Sequence, residues 1–261
     1  MRLLLAATLA STLVACAQGG GTPTSSPEVR TASDQTDADR RAAPRLELAG
    51  LYFSRGQYET ALDEIKLALQ AKPDLGAAFS LRGLVYASMG EDALADDNFN
   101  RALQLNPRDA DTMHNRAWFL CQRNKFADAD RYFELALAVP QYRDAQRTYM
   151  AQGVCDARAG KLDEAERKLT RAYELDAGNP TTALNLSEVL YRRGEYERAR
   201  FYVRRINQRD GLSNAQTLWL ALRIENRMGN RGGVDDIGRQ LRNRFPQAAE
   251  TLAYERGRLD E

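Results

Sequence analysis

Residues 76–107 read GAAFSLRGLVYASMGEDALADDNFNRALQLNP, and this stretch sets the register for the rest of the chain. Phe79 and Tyr86 place bulky groups on one face of a first helix, two turns apart. Gly83, between them, is small enough to let a second helix approach closely. Gly90 ends the first helix with a residue that tolerates positive φ. Ala95, Phe99 and Ala102 form the inward stripe of a second helix. Pro107 cannot continue that helix and opens the turn into the next segment. The spacing predicts a helical hairpin whose apolar face needs a neighbour to cover it.

Pro73 lies one period of about 34 residues before Pro107, and the pattern recurs along the chain. A first repeat is read from Ala42 to Pro73, with Leu48, Tyr52, Gly56, Tyr58, Ala61, Ile65 and Ala68 in its key places. The third begins near Ala110, and its Asn124 stands where a turn glycine is expected; asparagine also tolerates the left-handed conformation. Pro140 comes one place early, so an irregular junction is expected before the fourth repeat, near Gln146. The fifth begins near Pro180 and the sixth near Ala215; residues 207–214 read as an insertion and 247–261 as a short capping helix. Repeats of this kind resemble tetratricopeptide repeats. The expected fold is all-α: a right-handed superhelical solenoid of six repeats with a concave groove.

The 261 residues include 37 Lys and Arg against 36 Asp and Glu, a balance that leaves no electrostatic footprint for nucleic acid. One histidine and three cysteines leave little for metal or acid–base chemistry. No nucleophile elbow, phosphate loop or metal-ligand spacing is present, which argues against an enzyme, a cofactor or a small-molecule substrate.

Ahead of the repeats, Arg2 and the apolar run Leu3–Ala15 read as a signal peptide over 1–15, too short to span a bilayer as a helix. Leu13-Val14-Ala15-Cys16 resembles the lipobox of bacterial lipoproteins, which implies cleavage before Cys16 and acylation of that cysteine. An ordinary signal peptide with an incidental cysteine is the plainer alternative. Ala17, rather than Asp, after the cysteine favours the outer membrane. Residues 16–43 are rich in Gly, Ser, Thr, Pro, Asp and Gln and are expected to be a flexible linker, with the repeat domain over 44–261.

Several stretches carry more than repeat character: Asn115–Cys121, Gly153-Val154-Cys155, Leu190–Tyr196, Thr217–Glu225 and the closing Leu241–Pro246. With the lipobox, they resemble the type IV pilus biogenesis and stability lipoproteins (PilW/PilF) over nearly the whole mature chain. Arg116 and Ala117 depart from the aromatic and glycine expected there, as does Asn124. The resemblance implies a pilotin, a lipoprotein that helps the pilus secretin reach the outer membrane and assemble into its ring. The alternative is an interaction lipoprotein of another machine, such as tight-adherence pilus assembly or outer-membrane protein insertion.

Cys121 and Cys155 occupy similar places in the first helices of adjacent repeats, and an oxidising periplasm would favour a disulfide between them; two buried free thiols are the alternative. The groove is the expected partner-binding surface. By register, His114, Trp118, Met150, Tyr191 and Trp219 face it, with Arg147, Arg192, Arg223 and Arg227 able to pair with acidic ligand groups along its flanks.

Overall fold

The computed structural model describes residues 35–209 and 211–259. The stretch read as a signal peptide, Cys16 and most of the expected linker lie outside the described residues. Among the described residues there are thirteen helices and no strand. Twelve pair into hairpins: α1 (Asp37–Ser54) with α2 (Tyr58–Ala71), α3 (Gly76–Met89) with α4 (Asp92–Leu105), and α5 (Ala110–Gln122) with α6 (Phe126–Leu137). They continue as α7 (Ala145–Arg158) with α8 (Leu162–Leu175), α9 (Pro180–Arg192) with α10 (Tyr196–Asn207), and α11 (Ala215–Arg227) with α12 (Arg231–Arg244). A short α13 (Ala249–Glu255) follows.

Each hairpin turn needs one residue in the left-handed region. Gly56, Gly90, Gly160, Gly194 and Gly229 supply it in five turns, and Asn124, at φ 58°, supplies it in the sixth. The early Pro140 is accommodated by Gln141, which also takes positive φ, at 61°. Helix α7 then starts at Ala145.

Stacking follows from the apolar stripes. Ile65, Phe99, Phe133, Leu169 and Val203 recur once per outer helix and are completely buried. Burying such a side chain contributes about 1.5–3 kcal/mol. Close approach of the paired helices is built into the sequence: a Cβ on Gly83 would lie 2.9 Å from the Phe99 ring, and one on Gly153 would lie 2.7 Å from Leu169 Cγ. In the last repeat Gly238 stands where the bulky residue belongs. The ring of Tyr254, from α13, occupies that space, so that a Cβ on Gly238 would fall 2.1 Å from it. Helix α13 thus covers the end of the stack, pinned by a hydrogen bond from Thr251 Oγ1 to the Phe245 carbonyl at 2.7 Å.

Successive first helices (α1, α3, α5, α7, α9, α11) approach one another along their backbones, and each second helix packs on the first helix of the next repeat; second helices stand further apart and meet through long side chains, such as Lys168 with Glu134 and Tyr173 with Tyr202. The first helices therefore form the inner layer and the second helices the outer one. Three inner helices carry polar struts where a leucine would be ordinary. Arg82 Nε donates to Asn98 Oδ1 at 2.6 Å. Arg116 stacks on the Tyr132 ring, 4.6 Å from its centroid, and pairs with Asp96 at 2.8 Å. Gln152 Nε2 donates to Asp130 at 2.7 Å and to Glu134 at 2.8 Å. Arg116 thus fills the missing aromatic's place by stacking on one.

Two expectations at the start of the array need correction. Helix α1 begins at Asp37, inside the stretch 16–43 assigned to a linker. Asp37 and Asp39 suit the positive end of a helix dipole, and Ala42 is buried. Pairs from Arg45 to Glu64, at 3.0 Å, and from Lys72 to Asp39 tie the segment to α2. Leu48, given a core place, is 39% exposed, because among the described residues no helix packs on the far side of α1.

Candidate binding groove

The inner helices bring the expected groove residues onto one layer, but at different depths. Trp118, Met150 and Trp219 are half-buried, each with one side against the core and the other open. Trp118 packs beside the cluster of Phe99, Phe119 and Phe133. Met150 lies against the cluster around Leu186 and Leu190, and Trp219 against Leu218, Leu222 and Leu241. Leu84 and Leu184 continue the half-buried apolar floor between them. A floor of this kind offers large aromatic and thioether contact area to a protein segment.

His114 and Tyr191 do not belong to that open surface, and both expectations are corrected. His114 is 7% exposed, its Nδ1 hydrogen-bonded to Thr148 Oγ1 at 2.9 Å and its ring edge-on to Phe133. Burial, with the Arg147 guanidinium nearby, pushes the imidazole down to about 3, so it is neutral at ordinary pH. Its repeat place puts it one residue deeper than Asn115, whose Nδ2 donates to Ser80 Oγ at 3.3 Å. Tyr191 is 8% exposed and serves as a platform. Arg223 stacks on its ring, 4.6 Å from the centroid, and its hydroxyl accepts a hydrogen bond from Arg227 Nε at 3.4 Å.

The arginines divide in the same way. Arg147 is exposed and pairs with Asp111 at 3.6 Å. Arg192 reaches back to the Ala157 carbonyl at 3.1 Å, tying the ends of α7 and α9. Arg223 keeps its Nε buried without an acceptor. Sequence reasoning passed over Arg158, which closes α7 as Arg192 closes α9 and Arg227 closes α11. The signal was available, since each of these arginines sits two places ahead of a turn glycine.

Other polar groups serve the frame. Glu225, 2% exposed, accepts from Arg204 at 2.9 Å and from Asn230 Nδ2 at 2.7 Å, locking α10, α11 and the last turn. Burial and the Asp130 carboxylate raise Asp156 to about 6. A disulfide joins Cys121 and Cys155, with Cα atoms 5.8 Å apart, and links α5 to α7 across the irregular junction. Among the described residues no cluster of three or more His, Cys, Asp or Glu side chains is arranged to hold a metal, and no helix is long and apolar enough to cross a membrane.

Comparison with known proteins agrees with this architecture. Tetratricopeptide-repeat models match residues 77–109, 98–131 and 157–220. The chain is 26% identical to the type IV pilus assembly protein PilF of Pseudomonas aeruginosa over 210 residues, which covers 80% of this chain and 83% of PilF. It is similar to the crystal structure of PilW, described as a widely conserved type IV pilus biogenesis factor. There the TM-score is 0.75 at 27% identity, over 82% of this chain and 97% of PilW. The solved P. aeruginosa PilF structure matches with a TM-score of 0.73 at 24% identity, over 85% of this chain and all of that one. In sequence the chain is homologous to PilF, and in fold it is a tetratricopeptide-repeat protein similar to PilF and PilW.

Proposed function

We propose that this protein is a type IV pilus biogenesis factor that acts as a pilotin: a non-enzymatic scaffold that binds the pilus secretin and promotes its localisation and multimerisation. The observation that carries this reading is the match to PilF along most of both chains, combined with an inner layer that leaves Trp118, Met150 and Trp219 half-open. The groove holds a secretin segment against this apolar floor. Binding raises the local concentration of secretin subunits and covers their exposed edges until they oligomerise.

The same reading places the protein in the outer membrane, facing the periplasm and held by acylated Cys16. Support for the anchor comes from the Leu-Val-Ala-Cys motif at the end of an apolar run. More than one acyl chain is required for stable anchoring, because a single chain binds membranes only marginally.

The test is deletion of the gene, followed by measurement of secretin multimers in outer-membrane fractions. Loss of multimers that the wild-type gene restores is the expected result; unchanged multimers and normal pili would overturn the pilotin role. A Cys16→Ser protein should leave the membrane fraction, and membrane retention would overturn the anchor.

A further inference from the structure

The connection between α10 and α11 builds a cleft that the repeat pattern does not require. It spans residues 208–214, whereas 176–179 suffice between α8 and α9. The longer loop sets Leu212 beside Tyr173, Pro180, Ala183 and Ile206, and these form the apolar wall of a cleft of about 250 Å³. The groove residues Trp118, Met150 and Trp219 take no part in it.

Two arginines border the cleft, Arg205 in the last turn of α10 and Arg209 just beyond that helix, and no carboxylate lines it. Both arginines are open to solvent. Their partners are a ring and a carbonyl. Arg205 lies over the Phe201 ring, 5.6 Å from its centroid, and Arg209 Nη1 donates to the Gly178 carbonyl at 3.1 Å. The neighbouring Asp176 is engaged by the Gly178 amide at 3.0 Å. Attraction of cations to a helix C-terminus accounts for an arginine at the end of α10. It does not account for an apolar cleft whose charged borders are all cationic.

An aromatic track leads out of the cleft. Tyr173 meets Tyr202 edge-on at 5.1 Å, and Tyr202 meets Phe201 edge-on at 5.2 Å. Phe201 is 54% exposed, more than any other large apolar side chain among the described residues.

We infer that this cleft takes the carboxy-terminal residue of a partner protein, an apolar residue whose free carboxylate pairs with Arg205 and Arg209. The apolar wall covers the terminal side chain, and the guanidiniums receive the carboxylate through charge-assisted hydrogen bonds. The residues before the terminus lie along Tyr202 and Phe201, where aromatic faces give contact area. The volume suits a single residue, since sites for drug-sized molecules run from about 300 to 1,000 Å³. A chain end fits better than an internal segment. The Arg209–Gly178 bond ties the two loops together at the cleft, and a chain running on would have to break it. This site goes beyond the secretin reading and does not depend on it.

The test is isothermal titration of the mature full-length protein with unlabelled peptides. The first probe is acetyl-Gly-Ser-Ala-Leu-Phe with a free carboxylate. The others are its C-terminal amide, the same peptide ending in Ala, and the same peptide extended by Gly-Ser-Gly. The free acid should bind, with the other three at least about tenfold weaker and binding of the acid weakened by salt. An Arg205→Gln/Arg209→Gln variant should lose at least about tenfold, and the corresponding Lys variant should recover part of it. Both positions are exposed, and circular dichroism and melting temperature check the fold. No binding of the acid, equal binding of the amide or the extended peptide, or a folded Gln variant that binds as wild type does would each overturn the site. Binding of 3-phenylpropionate as tight as that of the peptide would overturn the assignment to a chain end in favour of a small aromatic acid. No secretin enters this measurement, so its failure leaves the deletion result standing, and the converse also holds.

Discussion

At the scale of single residues, Gly153 and His114 expose the demands of the fold most directly. A Gly153→Ala side chain would meet Leu169 Cγ at 2.7 Å and the Ala165 carbonyl at 3.1 Å, and the second of these is backbone that cannot swing aside. The expected cost is about 1–3 kcal/mol, read as a fall in melting temperature. Buried titratable groups add a pH dependence of opposite signs. Folding lowers His114 from its ordinary 6.5 to about 3, so stability is lost as pH falls from 6.5 towards 3. Asp156 is raised from 3.8 to about 6, so its contribution is present at low pH and lost as pH rises through 6. In an Asp156→Asn background, which removes the opposing contribution of that carboxyl, lowering pH from 6.5 to 4.5 should cost up to about 2.7 kcal/mol more than in the same background carrying His114→Gln. Chemical denaturation at the two pH values measures the difference, and parallel curves would refute it. The repeat glycines, Phe99 and Ala95 were legible in the sequence because their chemistry admits only one role. The depth of His114 and Tyr191 was not, since repeat register fixes the helix face but leaves open how far a neighbouring helix rolls over it.

At the scale of helices, the Cys121–Cys155 bridge is the strongest local constraint. It closes a 34-residue separation, for which the chain-entropy model gives about 3–4 kcal/mol. Cys155→Ser is expected to lower stability by that order, and reduction of the wild type should reproduce the loss; a variant as stable as wild type would contradict this. Helix α13 provides a second test. Its Tyr254 fills the space above Gly238, so Tyr254→Ala should leave Leu241 and Phe245 partly uncovered. A loss of about 2–4 kcal/mol is expected, confined to the last repeat in hydrogen exchange. The sequence foreshadowed a capping helix through its length and position but not the Gly–Tyr exchange that seats it. The start of α1 was hidden for a related reason. Composition marks 37–43 as polar, and its order comes from contacts such as that of Asp39 with Lys72, which lies far along the chain.

At the scale of the molecule, stacked hairpins leave one layer available to a partner. Trp118→Ala and Trp219→Ala should each weaken secretin capture by at least about 2 kcal/mol, roughly thirtyfold in Kd, while the helical spectrum persists. Capture at wild-type strength by both variants would remove the apolar floor from the binding surface. The two ends of the array also differ. Tyr254 closes the far end, whereas Leu48 and Leu51 stand in solvent at the near one. Linear arrays hold only through nearest neighbours, so they fray from whichever terminus is least covered. Amides of α2 should therefore exchange before those of α9. The protein then has a perishable terminus and a durable one, and a protease nibbling at the first would leave the bridged and capped repeats upright.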